Sequence, residues 1–211
     1  MSFASAGPWI HKRNNLELGA TSEIQTFWNI NDATPIGTNN WQLTVNNTIA
    51  ESLTGNICLI RATKGRSAGK YYFELVPLGF GISSNGWIGG IADPATPLTI
   101  NIDQMLDATG RHFGWRAGSP LASLWKDTAI TGLAVATAIN DIIGFACDLD
   151  ARSIDVRLNN VFQGNYTYPV AGTVFLPAFE ARLANEKVQL KSLTSELTYP
   201  QAGYLAWGSV P

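Results

Sequence analysis

From Ser153 to Leu158 apolar and polar residues alternate strictly, with Ile154, Val156 and Leu158 set against Ser153, Asp155 and Arg157. Successive side chains of a strand point to opposite faces, so this period of two predicts a strand buried on one side and wet on the other. Asn159-Asn160 follows, and asparagine tolerates the positive φ of a tight two-residue turn, so a hairpin is predicted there. Elsewhere, short runs rich in β-branched and aromatic residues recur between Gly, Asn, Asp and Pro. They predict strands over Trp41–Val45, Ile57–Ala62, Tyr71–Val76, Trp87–Ala92, His112–Arg116, Ile142–Asp148 and Val188–Leu193. Helical periodicity is almost absent; only Ile102–Asp107 reads as a helical turn.

This spacing of strands and turns is that of an all-β protein, and no repeat or low-complexity block divides it. Residues 39–198 are therefore read as one continuous β-sandwich. Residues 1–38 differ: Trp9, Phe27 and Trp28 alternate with Pro8, Pro35 and Asn14-Asn15, which reads as an irregular N-terminal arm packed on the sandwich or on a neighbouring subunit. Residues 199–211, with Tyr204 and Trp207 among Gly and Pro, read as a C-terminal tail of the same kind. Both are expected to make assembly contacts, including self-association.

Composition narrows the partners. Of 211 residues only 14% are charged, against roughly a quarter in an average soluble domain, so the surface is unusually neutral. A net charge of -2 gives no broad field for phosphate backbones or anionic lipid, and neither nucleic acid nor membrane insertion is expected. Pro8, His11, Lys12 and Arg13 interrupt the N-terminus where a signal peptide needs an apolar run. The expectation is synthesis in the cytoplasm without a signal peptide. Cys58 and Cys147 both lie in apolar runs, which suits buried free thiols better than a disulfide.

Arg61–Leu75 reads RATKGRSAGKYYFEL and closely resembles the signature of the SPRY family, in which a short loop leads into a Gly-Lys-aromatic-aromatic-Glu strand. Further segments follow in the family's order: WIGGIA (Trp87–Ala92), FGWRAGS (Phe113–Ser119), NDIIGFACDLD (Asn140–Asp150), SIDVRLNNVFQG (Ser153–Gly164), FLPAF (Phe175–Phe179) and TYPQAGY (Thr198–Tyr204). Asn160 replaces the glycine usual at the hairpin, and KSLTS (Lys191–Ser195) replaces the usual Asn-Phe-Gly. The resemblance implies a two-sheet antiparallel, jelly-roll-like β-sandwich that binds partners through variable loops at one end, without catalysis. The closing Pro-Gly-Tyr variant on a small neutral sandwich looks like bacterial and bacteriophage versions. On that basis a virion setting is expected, as a fibre, tail or capsid-associated protein.

The usual constellations of catalytic and ligand-binding residues are incomplete in this chain. KGRSAGK (Lys64–Lys70) differs from a phosphate-binding loop in glycine spacing and in having Tyr71 where Ser or Thr would hold magnesium. Two histidines, no nucleophile elbow and two distant cysteines leave no triad and no cysteine metal site, and no cofactor is expected. Asp148 and Asp150 are the one close acidic pair in a strand, and they read as turn formers. Aromatics outside the core pattern are the candidate binding residues, because they offer large contact area at low entropic cost. They are Phe80, Trp125 with Asp127, and Tyr166 with Tyr168, all read as loop residues. A protein partner is the leading reading, a host-surface glycan the second, and a glycan-cleaving enzyme on a similar sandwich the third.

Overall fold

The computed structural model describes residues 22–33, 40–55, 58–81, 88–95, 112–116, 123–126, 129–132, 136–168 and 172–210. In chain order its strands are β1 (Trp28–Ala33), β2 (Trp41–Thr44), β3 (Ile49–Ser52), β4 (Cys58–Ala62), β5 (Lys70–Phe80), β6 (Ile88–Ala92), β7 (His112–Arg116) and β8 (Ser123–Lys126). Then come β9 (Ala129–Gly132), β10 (Ile143–Asp148), β11 (Ser153–Leu158), β12 (Val161–Thr167), β13 (Leu176–Ala181), β14 (Glu186–Lys191) and β15 (Leu205–Ala206). No helix occurs among the described residues.

Two sheets face each other, one ordered β1-β4-β13-β6-β7-β8-β9 and the other β12-β11-β10-β5-β14-β3-β2. Pairing is antiparallel except for β15, which runs parallel to β5. The expected all-β sandwich of two sheets is what the chain forms. The Ser153–Leu158 strand appears with its predicted alternation, and Asn159 and Asn160 take φ of 49° and 67°, as a tight hairpin requires. The predicted strand Tyr71–Val76 lengthens to Lys70–Phe80 because it pairs with β10 over its first half and β14 over its second. The last predicted strand shifts back to Glu186–Lys191. It ends there because the Glu196 carboxylate accepts the N–H groups of Ser192 and Leu193 and turns the chain. Ile102–Asp107 lies outside the described residues.

The inner faces meet in an aromatic core. Phe73 stacks on Phe145 at 4.9 Å between centroids, and Trp207 meets Phe73 edge-on at 5.2 Å. Trp28 and Trp41 both pack on Phe179. Parts of both ends of the chain pack into this core. Trp28 is fully buried on β1, and its Nε1 donates to the Thr48 carbonyl at 3.0 Å. Trp207 is fully buried just after β15, with Nε1 donating to the Lys64 carbonyl at 2.8 Å. Residues 22–33 and 205–210 thus belong to the sandwich, because each contributes a tryptophan whose large apolar surface can be hidden only in this core.

The outer face of the larger sheet is partly covered as well. On β5 Tyr71, Phe73 and Leu75 point inward, while Tyr72 and Glu74 point outward yet are buried. Tyr72 lies flat across Gly144 of β10, where a Cβ would stand 2.1 Å from its hydroxyl oxygen. Glycine at 144 is therefore required by the close approach of a neighbouring ring. Residues 198–204 close over this pair.

Candidate interaction surface

The candidate residues are not brought together. Phe80 is the last residue of β5 rather than a loop residue, half-buried and packed against the core. Trp125 lies in β8, its backbone paired with Gly114 on one side and Ile130 on the other. Its side chain, and the whole of Asp127, lie outside the described residues.

Tyr166 and Tyr168 are a correction, since both are core. Tyr166 belongs to β12 and stacks on Phe113 at 4.7 Å. Tyr168 donates its hydroxyl to the Leu149 carbonyl at 3.0 Å and packs edge-on against Phe175. Burial pushes its phenol up to about 12. The strand is masked in the sequence by Gly164 and Asn165, residue types that favour turns. The structure accommodates them with a register shift opposite Val156 and Arg157, which restores an inward direction for Tyr166.

The acidic pair is engaged in holding turns. Asp148 accepts from Lys70 Nζ at 2.7 Å and from the Ala151 N–H at 3.0 Å. The hydrogen bond from Lys70 holds its carboxyl below the usual range. Asp150 accepts from the Gly69 N–H at 3.0 Å. Together they tie the loop before β5 to the turn after β10. Cys58 on β4 and Cys147 on β10 lie in opposite sheets, free and buried. Burial pushes Cys58 up to about 11 and raises Cys147 further, so neither is a thiolate near neutrality.

What the fold does gather is one end of the sandwich, where the loop 63–69, the turn 149–152, residues 172–175 and the closing segment meet. Glu74 anchors that segment: its carboxylate accepts the N–H groups of Thr198 at 2.8 Å and Tyr199 at 2.6 Å, with Lys191 Nζ at 3.9 Å. The loop itself is tightly held. Arg66 exchanges both backbone hydrogen bonds with Phe175, and its guanidinium sits 4.2 Å over the Tyr71 ring. The final turn lies against residues 22–24, through Ile24 N–H to Gly208 carbonyl and Val210 N–H to Ser22 carbonyl. In the sequence KGRSAGK reads as the short loop of the SPRY-like signature and as a departure from a phosphate-binding loop. The partners that give it a shape lie from about eighty to 145 residues away in the chain.

This architecture has counterparts among solved structures. The SPRY domain of human HERC1 superposes with a TM-score of 0.63 at 16% identity, over 82% of this chain and 99% of that one. The PSpry domain of TRIM65 gives 0.58 at 14% identity, over 79% and 90%. Stonustoxin gives 0.59 at 16% identity over 79% of this chain and 28% of its own. At such identities the likeness establishes the fold, which is that of SPRY domains. No family model and no curated protein matches the chain.

Proposed function

We propose that this chain is a non-catalytic protein-binding module whose contacts are made by the loops at the end of the sandwich. The observation that carries this reading is the closing segment itself. Pinned by Glu74, it covers the outward Tyr72 and Glu74 of the larger sheet, while exposed apolar side chains rim the neighbouring loops. The SPRY fold supports it, because the neighbours sharing this sandwich are compact domains of similar extent. The engagement of Asp148 and Asp150 in turn contacts supports the non-catalytic part.

Within this reading the setting is a bacteriophage virion, with the chain a structural or accessory protein of fibre, tail or capsid. Support comes from the TYPQAGY closing segment and from the low charge of the chain. Binding of a protein component of the particle should be saturable and stoichiometric in calorimetry, with no release of reducing sugar from any polysaccharide supplied. Binding to a glycan array with no protein partner would favour the lectin-like alternative instead. Sugar release would end the non-catalytic reading.

A further inference from the structure

Lys64 and Arg66 differ from five other cations of the described residues, while Arg157 also rests on a carbonyl, that of Asn160. Arg61, Lys70, Arg182, Lys187 and Lys191 are each matched to a carboxylate, namely Asp32, Asp148, Glu180, Glu51 and Glu74. Lys64 and Arg66 instead rest on carbonyl oxygens. Lys64 Nζ donates to Gly208 at 2.9 Å and Ser209 at 3.2 Å, which leaves one ammonium hydrogen unused. Arg66 donates from Nε and Nη2 to the Trp207 carbonyl, and from Nη2 also to that of Ser209. Its Nη1 group makes no hydrogen bond to the described residues. Glu23, beside Ser209, is engaged by Thr194 and by the Ser209 hydroxyl.

Three exposed apolar side chains surround this pair. Ile24, 61% exposed, donates its N–H to the same Gly208 carbonyl that Lys64 holds. Phe27, 37% exposed, accepts the Thr63 N–H beside Lys64. Val174, 39% exposed, lies so close to Gly65 that a Cβ there would stand 2.6 Å from its Cγ1. The loop is fixed from behind by the Trp207 indole on the Lys64 carbonyl, so a ligand meets it already ordered.

Resting on the protein-binding reading, we propose that Lys64 and Arg66, with Ile24, Phe27 and Val174 around them, form a docking site for an acidic peptide segment that carries large apolar side chains. Charge complementarity selects the acid: two neighbouring cations without a carboxylate take one or two incoming carboxylates, the stronger class of hydrogen bond. Burial, and for Lys64 the nearby Arg66, lower the pKa of these cations, a cost that an arriving carboxylate relieves. The apolar rim gives a peptide contact area that a small anion cannot use. A chain of net charge -2 lacks the extended positive surface that a nucleic acid would track.

A randomised peptide library displayed on yeast tests this with the full chain as bait. Selection should enrich peptides in which Asp or Glu neighbours Leu, Ile or Phe. The best of them, made synthetically, should bind at least about tenfold more weakly to the Lys64→Glu variant, a loss that matches one charged hydrogen bond. Lys64→Ala, with less charge disturbance, should show a smaller loss in the same direction, and melting curves establish that both variants are folded. Peptides enriched without acidic residues, or bound equally well by Lys64→Glu, overturn the site and leave protein binding standing. Displacement of the peptide by inorganic phosphate at similar concentration overturns the assignment to a peptide. No enrichment, together with no protein partner in calorimetry, overturns both.

Discussion

Two buried glutamates do the same job in different parts of the sandwich, one completely and one not. Glu74, on β5, takes two consecutive N–H groups, those of Thr198 and Tyr199, one on each carboxylate oxygen. Lys191 stands within 3.9 Å and the Tyr72 hydroxyl also donates to it. Glu186, at the start of β14, likewise takes two consecutive N–H groups, those of Arg182 and Leu183, but both on Oε2. Its Oε1 is buried and has no hydrogen-bond partner among the described residues. A buried charge is tolerable when its acceptors are all used and costly when one is left over. Hence Glu74 has both oxygens engaged, whereas Glu186 keeps one oxygen unused, and burial raises its pKa and makes its clasp sensitive to pH.

The comparison breaks most visibly at Glu74. Glu74→Gln puts an amide NH₂ where one oxygen was, so one of the Thr198 and Tyr199 N–H groups faces a donor. The expected loss is about 2 to 3 kcal/mol, the range for hydrogen bonds to a charged group, read as a lower urea midpoint. Hydrogen exchange should accelerate first at Thr198 and Tyr199, before the core strands. If their protection is unchanged, Glu74 is not what holds the closing segment.

Much of this arrangement was legible in the chain, but not the fastening. Ser153–Leu158 and the Asn159-Asn160 turn could be read because their causes are local: alternation and positive φ depend on neighbouring residues. Trp28 and Trp207 could not, because the contacts that bury them are distant; the indole of Trp207 reaches a carbonyl 143 residues earlier. Tyr166 and Tyr168 were misread for another reason. A register shift lets Gly and Asn sit inside a strand, and sequence composition alone makes such a stretch look like a loop. The Glu of KYYFEL stood out as a motif letter, yet its role appears only when the N–H groups of Thr198 and Tyr199 arrive. Of the candidate binding residues, the aromatic criterion selected large side chains, and large side chains in a small sandwich are mostly its core.

The second prediction sharpens the contrast from the Glu186 side. Glutamine can keep its amide oxygen on Arg182 and Leu183 and place its NH₂ where Oε1 has no partner. Glu186→Gln should therefore change stability at neutral pH by no more than about 1 kcal/mol, well below the Glu74 effect. Its sign depends on pH. A carboxyl whose folded pKa is raised above the ordinary 4.5 contributes stability that is fully present below that value and is lost as pH rises through the folded pKa. Glutamine has no such dependence, so the variant should gain on the parent as pH rises above the ordinary carboxyl value of 4.5 in urea titrations. A constant difference across that range would mean that Glu186 is charged in the folded chain at every pH tested.

Asp148 supplies the smallest effect and the opposite slope. Its pKa is lowered, first by the hydrogen bond from Lys70 and, after burial has opposed it, by the Ala151 N–H. A carboxyl held below its ordinary 3.8 contributes stability that is present above that value and lost as pH falls through the folded pKa. Lys70 is mostly in water, so solvent screens the pair and little of this survives as net stability. Asp148→Asn should accordingly lower the urea midpoint slightly at neutral pH, by less than Glu74→Gln does, and the difference should vanish on acidification below about pH 4. Added salt should shrink it too, because exposed pairs are screened over roughly 10 Å at 0.1 M. The asparagine still accepts from the Ala151 N–H, so the turn after β10 stays closed and the variant reports the charge alone. A pH-independent loss for Asp148→Asn would instead assign its contribution to turn geometry rather than to its charge.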